Sequence, residues 1–159
     1  MYHRRFFSLL AGLIFFFLTH TAKSQDYRTA VGLRAGGPKG FTIKHFTKPK
    51  VAVEGIISSR WHGLGFTGLI EGHTRAFDIN RLNFYYGAGA HIYFWGEGKR
   101  GYSPYGRESV VGIDGILGLE YNFREIPINL AIDWKPTFNL NVDDGFWGDD
   151  GAISIRYAF

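Results

Sequence analysis

The chain has 159 residues with 45% hydrophobic and 18% aromatic content, 22 glycines, five prolines and no cysteine. Without cysteine there is no disulfide framework, no thiolate metal site and no lipidated N-terminal cysteine. Lys and Arg number 18 against 14 Asp and Glu, yet no basic block or basic-aromatic run is present to neutralise phosphates, which argues against a nucleic-acid partner.

Residues 1–24 read as a secretory signal peptide. Residues 1–5 are cationic, 6–18 are apolar apart from Ser8 and Gly12, and Ala22 and Ser24 place small side chains three and one before a cleavage point ahead of Gln25. The alternative, a membrane anchor, needs ~20 apolar residues, more than this core supplies. Arg4, Arg5 and Lys23 leave with the segment, so the mature chain carries 15 basic residues against 14 acidic ones. What remains, residues 25–159, is one domain's worth of chain.

From residue 27 onward apolar and polar positions alternate, and clusters of Gly, Pro, Asn and Asp interrupt them. The spacing predicts eight strands, at 27–36, 38–47, 50–61, 63–76, 81–95, 109–123, 126–140 and 150–159. In the seventh, Ile128, Leu130, Ile132, Trp134, Pro136, Phe138 and Leu140 alternate with Asn129, Ala131, Asp133, Lys135, Thr137 and Asn139. In the eighth, Ile153, Ile155, Tyr157 and Phe159 alternate with Ala152, Ser154, Arg156 and Ala158. Successive side chains of a strand point to opposite faces, so each strand has one apolar and one small or polar face. The connections at Lys48-Pro49, 77–80 and Arg124-Glu125 are tight, whereas 96–108 and 141–149 are long and polar. An even strand number with its longest loops on one side suits an up-and-down barrel.

Two barrels use this pattern with opposite polarity: a soluble lipocalin-like barrel keeps apolar residues inside, and a membrane barrel turns them outward. The polar set mixes small residues (Gly32, Gly87, Gly89, Gly112, Gly118, Ala131, Ser154) with sparse charges of both signs. Those charges are Arg34, Lys44, Glu54, Arg60, Glu71, Arg75, Arg81, Asp114, Glu120, Asp133, Lys135 and Arg156. Such a mixture fits a narrow interior where charges pair, and not a solvent-facing surface crowded with Lys and Glu. The apolar set gathers its aromatics at strand ends, with Tyr27, Phe84, Tyr121, Phe123, Tyr157 and Phe159 at one end and Trp61, Phe66, Phe94 and Phe138 at the other. Two aromatic girdles flanking an aliphatic band match the two headgroup levels of a bilayer. The expected fold class is all-β, an eight-stranded antiparallel up-and-down transmembrane β-barrel.

On these strands the chain resembles the small eight-stranded outer-membrane barrels of Gram-negative bacteria, of the OmpA transmembrane-domain and OmpX kind, from about Tyr27 to Phe159. Its final strand looks like the C-terminal signal read by the outer-membrane assembly machinery, with Tyr157 and Phe159 as the aromatic pair. The resemblance implies residence in the outer membrane, contact with its lipid and lipopolysaccharide, and no obligatory cofactor.

Chemistry is sparse. Lipid A-modifying barrels set a nucleophilic Ser beside a His on the outer surface, which requires an even spacing along a strand. The mature chain has no Ser-x-His or His-x-Ser; Ser59 and His62 are offset by an odd number and His45 sits at the far end of its strand. Glu71 and His73 share a face, with His91 and Asp114 as conceivable companions for a metal, but an interior histidine in a polar barrel ordinarily joins a hydrogen-bond network. Residues 141–151 are acidic and glycine-rich, yet their spacing departs from that of a calcium-binding loop. An eight-stranded barrel is filled by its own side chains, so a solute channel is not expected.

The expected role is therefore non-enzymatic. A plugged polar lumen of Arg34, Lys44, Glu54, Arg60, Glu71, His73, His91, Asp114, Asp133, Lys135 and Arg156 would support external loops. Tyr102, Tyr105, Phe146 and Trp147 would present aromatic contacts to an outside partner. Folding each hairpin about its connection predicts four lumen pairs: Lys44 with Glu54, Asp133 with Arg156, Asp114 with Lys135, and His91 with Asp114.

Overall fold

A computed structural model describes residues 27–96, 108–143 and 145–159. The leader at 1–24, Tyr102 and Tyr105 lie outside these residues. Ten strands are formed: β1 (Thr29–Gly36), β2 (Lys39–Lys48), β3 (Val51–Arg60), β4 (Gly63–Arg75), β5 (Leu82–Phe94), β6 (Ser109–Asn122), β7 (Ile128–Trp134), β8 (Thr137–Asn139), β9 (Phe146–Trp147) and β10 (Gly151–Ala158). β7 and β8 continue one stave, and β9 leads into β10 as another, so the strands make eight staves. Each stave runs antiparallel to its neighbours, and β10 pairs with both β1 and β7, which closes the sheet into a barrel without a free edge. Tyr27, Phe159 and the turns after β2, β4 and β6 share one end; the short turns after β1 and β3 share the other with the β5–β6 and β8–β9 connections.

The alternation read from the sequence sorts side chains across the wall. Among the described residues thirty large apolar side chains are exposed, Phe41 at 68% among them, whereas Arg156, Lys44, Lys135, Glu71 and Glu120 are fully buried. Apolar residues do enter the interior in two places. Ile56, Leu69, Tyr85, Ile116 and Ala131 form a layer part-way along the barrel, and Tyr93, Trp95, Val110 and Trp147 cluster under the loop end.

Departures from the expected elements have local causes. The seventh strand breaks at Lys135-Pro136 because Pro136 has no N–H for the ladder, although its carbonyl still accepts from Gly115 N at 2.8 Å. Opposite this break the last stave slips. Trp134 pairs with Gly151 and Thr137 pairs with Trp147, so three steps along one stave match four along the other. The extra residue lies at Gly148-Asp149, a bulge that exchanges inward and outward positions. Trp147, expected as an exposed loop contact, is therefore turned into the barrel and is only 8% exposed, while Phe146 faces out.

Two aromatics and two arginines also leave their expected places. Arg28 N and Thr29 N both bond the Phe159 carbonyl, a kink ahead of β1 that swings Tyr27 inward instead of into the girdle. Trp61 leaves the girdle as well, because it sits in the turn after β3 and packs edge-on against Trp147, with ring centroids 5.2 Å apart. Arg75 is the last residue of the β4–β5 ladder, opposite Asn83, and Arg81 lies in the turn just before β5. Arg75 is exposed, and Arg81 lies at the rim near the Phe123 carbonyl.

Interior glycines set how closely staves approach. A methyl group on Gly89 would lie 1.8 Å from the Gly68 carbonyl oxygen, whereas one on Gly68, on the outer face, would meet nothing within 4 Å. Gly89→Val is expected to lower stability by ~1–3 kcal/mol through overpacking, and Gly68→Ala to stay within about 0.5 kcal/mol of the parent. Urea midpoints measured in detergent micelles compare the two; equal effects would show that the close approach at Gly89 is not a constraint.

Candidate functional site

The buried side chains are the natural place to look for a site, because unpaired charges in a water-poor interior are costly. They form three connected groups. Nearest the end that holds Tyr27 and Phe159, Lys44 lies between carboxylates, with Nζ 3.3 Å from Glu54, 2.7 Å from Glu71 and 3.6 Å from Glu120. Its ammonium also sits 3.9 Å from the centre of the Tyr85 ring. Arg156 donates to Glu54 at 2.7 Å and to Asn129 at 3.0 Å, and Thr42 donates to Glu54. Two cations thus face three carboxylates. The Tyr27 hydroxyl adds a donor to Glu120 at 3.0 Å, and the His73 imidazole lies nearby, with Nε2 3.7 Å from both Glu71 and Glu120.

Midway, Arg34 makes a two-pronged contact with Asp133 at 2.7 and 2.5 Å, and Tyr85 donates to the same carboxylate at 2.9 Å. This bidentate geometry is the strongest form of a guanidinium–carboxylate contact. It crosses the last stave over small residues, since Asp133 pairs with Ala152 and Arg34 with Ser154.

Toward the loop end, His91 Nδ1 contacts Asp114 at 2.9 Å and Nε2 contacts Asn139 at 3.0 Å. Lys135 donates to Asp114 at 2.6 Å and to Thr137 at 2.9 Å, and Thr137 donates to Asp114 at 2.7 Å. Lys135 also lies 3.5 Å from Asp150, which joins this group to the mouth. There Arg60 contacts Asp150 and donates to both oxygens of Asp149 at 3.0 and 2.9 Å. Burial raises the Asp150 carboxyl above its ordinary pKa, against the opposing pull of Lys135 and Arg60.

Three of the four expected pairs are in direct contact. Lys44 and Glu54 are also partners in the ladder, as a tight turn dictates. The Asp114–Lys135 and His91–Asp114 contacts are diagonal, because the ladder places Thr137 opposite Asp114 and Gly112 opposite His91. Asp133 with Arg156 is a correction: Asp133 pairs with Ala152, Arg156 pairs with Asn129, and the two charges bind Arg34 and Glu54 instead. The long loop and the bulge at Gly148-Asp149 displace the register from a simple fold about the loop's midpoint. Glu120 and Asn129 lie on the inward set that the alternation gives, whereas Tyr27, expected in the girdle, joins the network through a kink at Arg28 that leaves no sequence signal.

The arrangement holds the lumen charges in mutual contact. Glu71 and His73 do not converge with His91 and Asp114, and the Lys44 ammonium occupies the centre of the three carboxylates. On the outer face, Thr29 Oγ1 and His45 Nδ1 meet at 2.8 Å across β1 and β2, a hydroxyl–imidazole pair invisible to same-strand spacing. No carboxylate contacts His45 among the described residues, so the orienting member of a triad is missing from that pair.

A double-mutant cycle tests the corrected pairing. Coupling between Arg34→Met and Asp133→Asn is expected at ~0.5–3 kcal/mol, as for contacting residues, and a smaller value between Arg156→Met and Asp133→Asn. Urea unfolding of the single and double variants supplies the four free energies; the reverse order would restore the simple hairpin register. No family model matches the sequence and no curated protein matches it, so the functional reading rests on this geometry.

Proposed function

We propose that the chain is a small integral barrel of a Gram-negative outer membrane, with a plugged polar lumen and a structural or surface-recognition role at its loop end. The observation that carries this reading is the polarity of the wall: ionised side chains at 0% exposure inside, and aliphatic and aromatic side chains over the outside. Soluble monomers rarely expose an apolar patch beyond a few hundred Å², and here the outward face of every stave is apolar. Outward aromatics near both ends support the same setting. Phe84, Tyr86, Tyr121, Phe123 and Phe159 lie toward the turns, and Phe66, Phe94, Trp134 and Phe138 toward the loops.

A lipocalin-like barrel would need the opposite distribution, with a greasy cavity for its ligand. A general pore is disfavoured by the interior layers, in which Tyr85, Ile116, Arg156 and the aromatic cluster at the mouth fill the section. Partners under this reading are outer-membrane lipid, lipopolysaccharide and the assembly machinery, which would read Tyr157 and Phe159 at the last strand.

Two measurements test it. Folded protein should migrate differently on a gel before and after heating, and Leu130→Arg, on the outer face, should cost ~2–4 kcal/mol in lipid bilayers while the interior change Ala131→Ser costs little. Equal tolerance at both positions would sink the membrane setting. As a non-enzyme, the protein should leave lipid A acylation unchanged when Ser59, His45, His62, His73 or His91 is replaced singly. Mass spectra of lipid A from expressing cells read this out, and a changed acylation pattern in any variant would revive the enzyme.

A further inference from the structure

The loop-end mouth carries more order than sealing requires. Residues Arg60, Trp61, His62 and Gly63 join β3 to β4 through a two-residue turn, and both central residues are left-handed, with φ of 45° at Trp61 and 63° at His62. Gly or Asn takes this conformation more readily than a bulky ring does. Such a conformation persists only where neighbours fix it. The Trp61 carbonyl accepts from Trp95 Nε1 at 3.1 Å, and a side chain on Gly63 would collide with that indole at 2.7 Å. The Trp61 ring rests edge-on against buried Trp147 at 81°, with the Arg60 guanidinium 4.3 Å from its centre. Arg60 is itself pinned by Asp149 and Asp150.

Despite this support Trp61 is 42% exposed, and the Asp149 side chain is 74% exposed. The mouth therefore presents a rigid indole bordered by a carboxylate whose charge is matched by Arg60. These properties select a ligand. The Arg60 guanidinium covers one face of the ring, so a second cation on the other face would be repelled across it. An anion would find the Arg60 terminal nitrogens occupied by two carboxylates. A wholly apolar ligand would cover Asp149 and strip its water without replacing the hydrogen bonds. A neutral ring sugar meets each requirement: its C–H face is weakly positive and stacks on the negative face of an indole, and adjacent hydroxyls donate to a carboxylate.

We infer that the loop-end mouth is a carbohydrate-binding site, with Trp61 as the stacking platform and Asp149 as the hydroxyl acceptor. A platform fixed before binding loses little conformational freedom on association, which favours recognition from a small contact. The inference rests on the surface-recognition part of the reading above and names its ligand class. It moves the aromatic contact from Trp147, which supports the site from beneath, to Trp61.

The test uses the full mature chain folded in micelles and three probes: methyl β-glucoside, methyl β-galactoside and chitotriose. Saturation-transfer NMR and indole Nε1–H shifts are followed during titration. At least one probe is expected to saturate in the millimolar range. Affinity should fall at least about tenfold in Trp61→Ala and in Asp149→Ala, and stay at the parent value in Phe77→Ala, at the opposite end of the barrel. If Trp61→Ala does not fold, perturbation of the Trp61 Nε1–H by the probe in the parent protein decides. No saturation with any of the three probes, or binding that survives loss of both Trp61 and Asp149, overturns the site. Because the assay needs only folded protein, its failure is distinct from a failure of insertion into lipid.

Discussion

Among the described residues, five cations and seven carboxylates lie within the barrel or at its mouth, and their mutual pairing is the constraint on which the rest depends. Arg34, Lys44, Arg60, Lys135 and Arg156 face Glu54, Glu71, Glu120, Asp114, Asp133, Asp149 and Asp150. Removing one partner of such a pair strands a charge where water is scarce, which costs about 3–5 kcal/mol. That penalty fixes which face of each charged strand points inward, because a one-residue slip would carry the charges to the apolar exterior. The network also crosses strand boundaries. Arg34 reaches Asp133 over β10, and Arg156 reaches Glu54 past Gly32 and Thr42, so the closing seam between first and last strands is bridged by ion pairs as well as by backbone bonds.

Between the charged groups lie apolar or aromatic side chains that divide the interior. Tyr85 serves both kinds of neighbour: its ring lies beneath the Lys44 ammonium and stacks 5.4 Å from His73, and its hydroxyl donates to Asp133. At the loop end Trp147 plays the corresponding part, contacting Tyr93 and Trp61 by ring edges and Arg60 by its face. A filled interior of this kind gives rigidity in exchange for passage. Under the proposed reading, function is left to the surfaces at the two ends, of which only one faces the outside.

The sequence alone determined the strand number, the inward and outward sets over most of the wall, and the Lys44–Glu54 pair. Period-two alternation and tight turns are local properties, so a residue's face can be counted from its neighbours. The acidic stretch 141–151, its Trp147 and the charges Asp133 and Arg156 were not legible in the same way. Their placement depends on a bulge at Gly148-Asp149 and on closure of β10 against β1, and neither leaves a mark in local alternation. Trp61 illustrates the same limit: a terminal aromatic reads as a girdle residue, and only the approach of Trp95, Trp147 and Arg60 turns it over the mouth. What tertiary structure decided was the pairing of the last stave, because register across that long loop is set by contacts in the closed barrel and not by the residues of the loop.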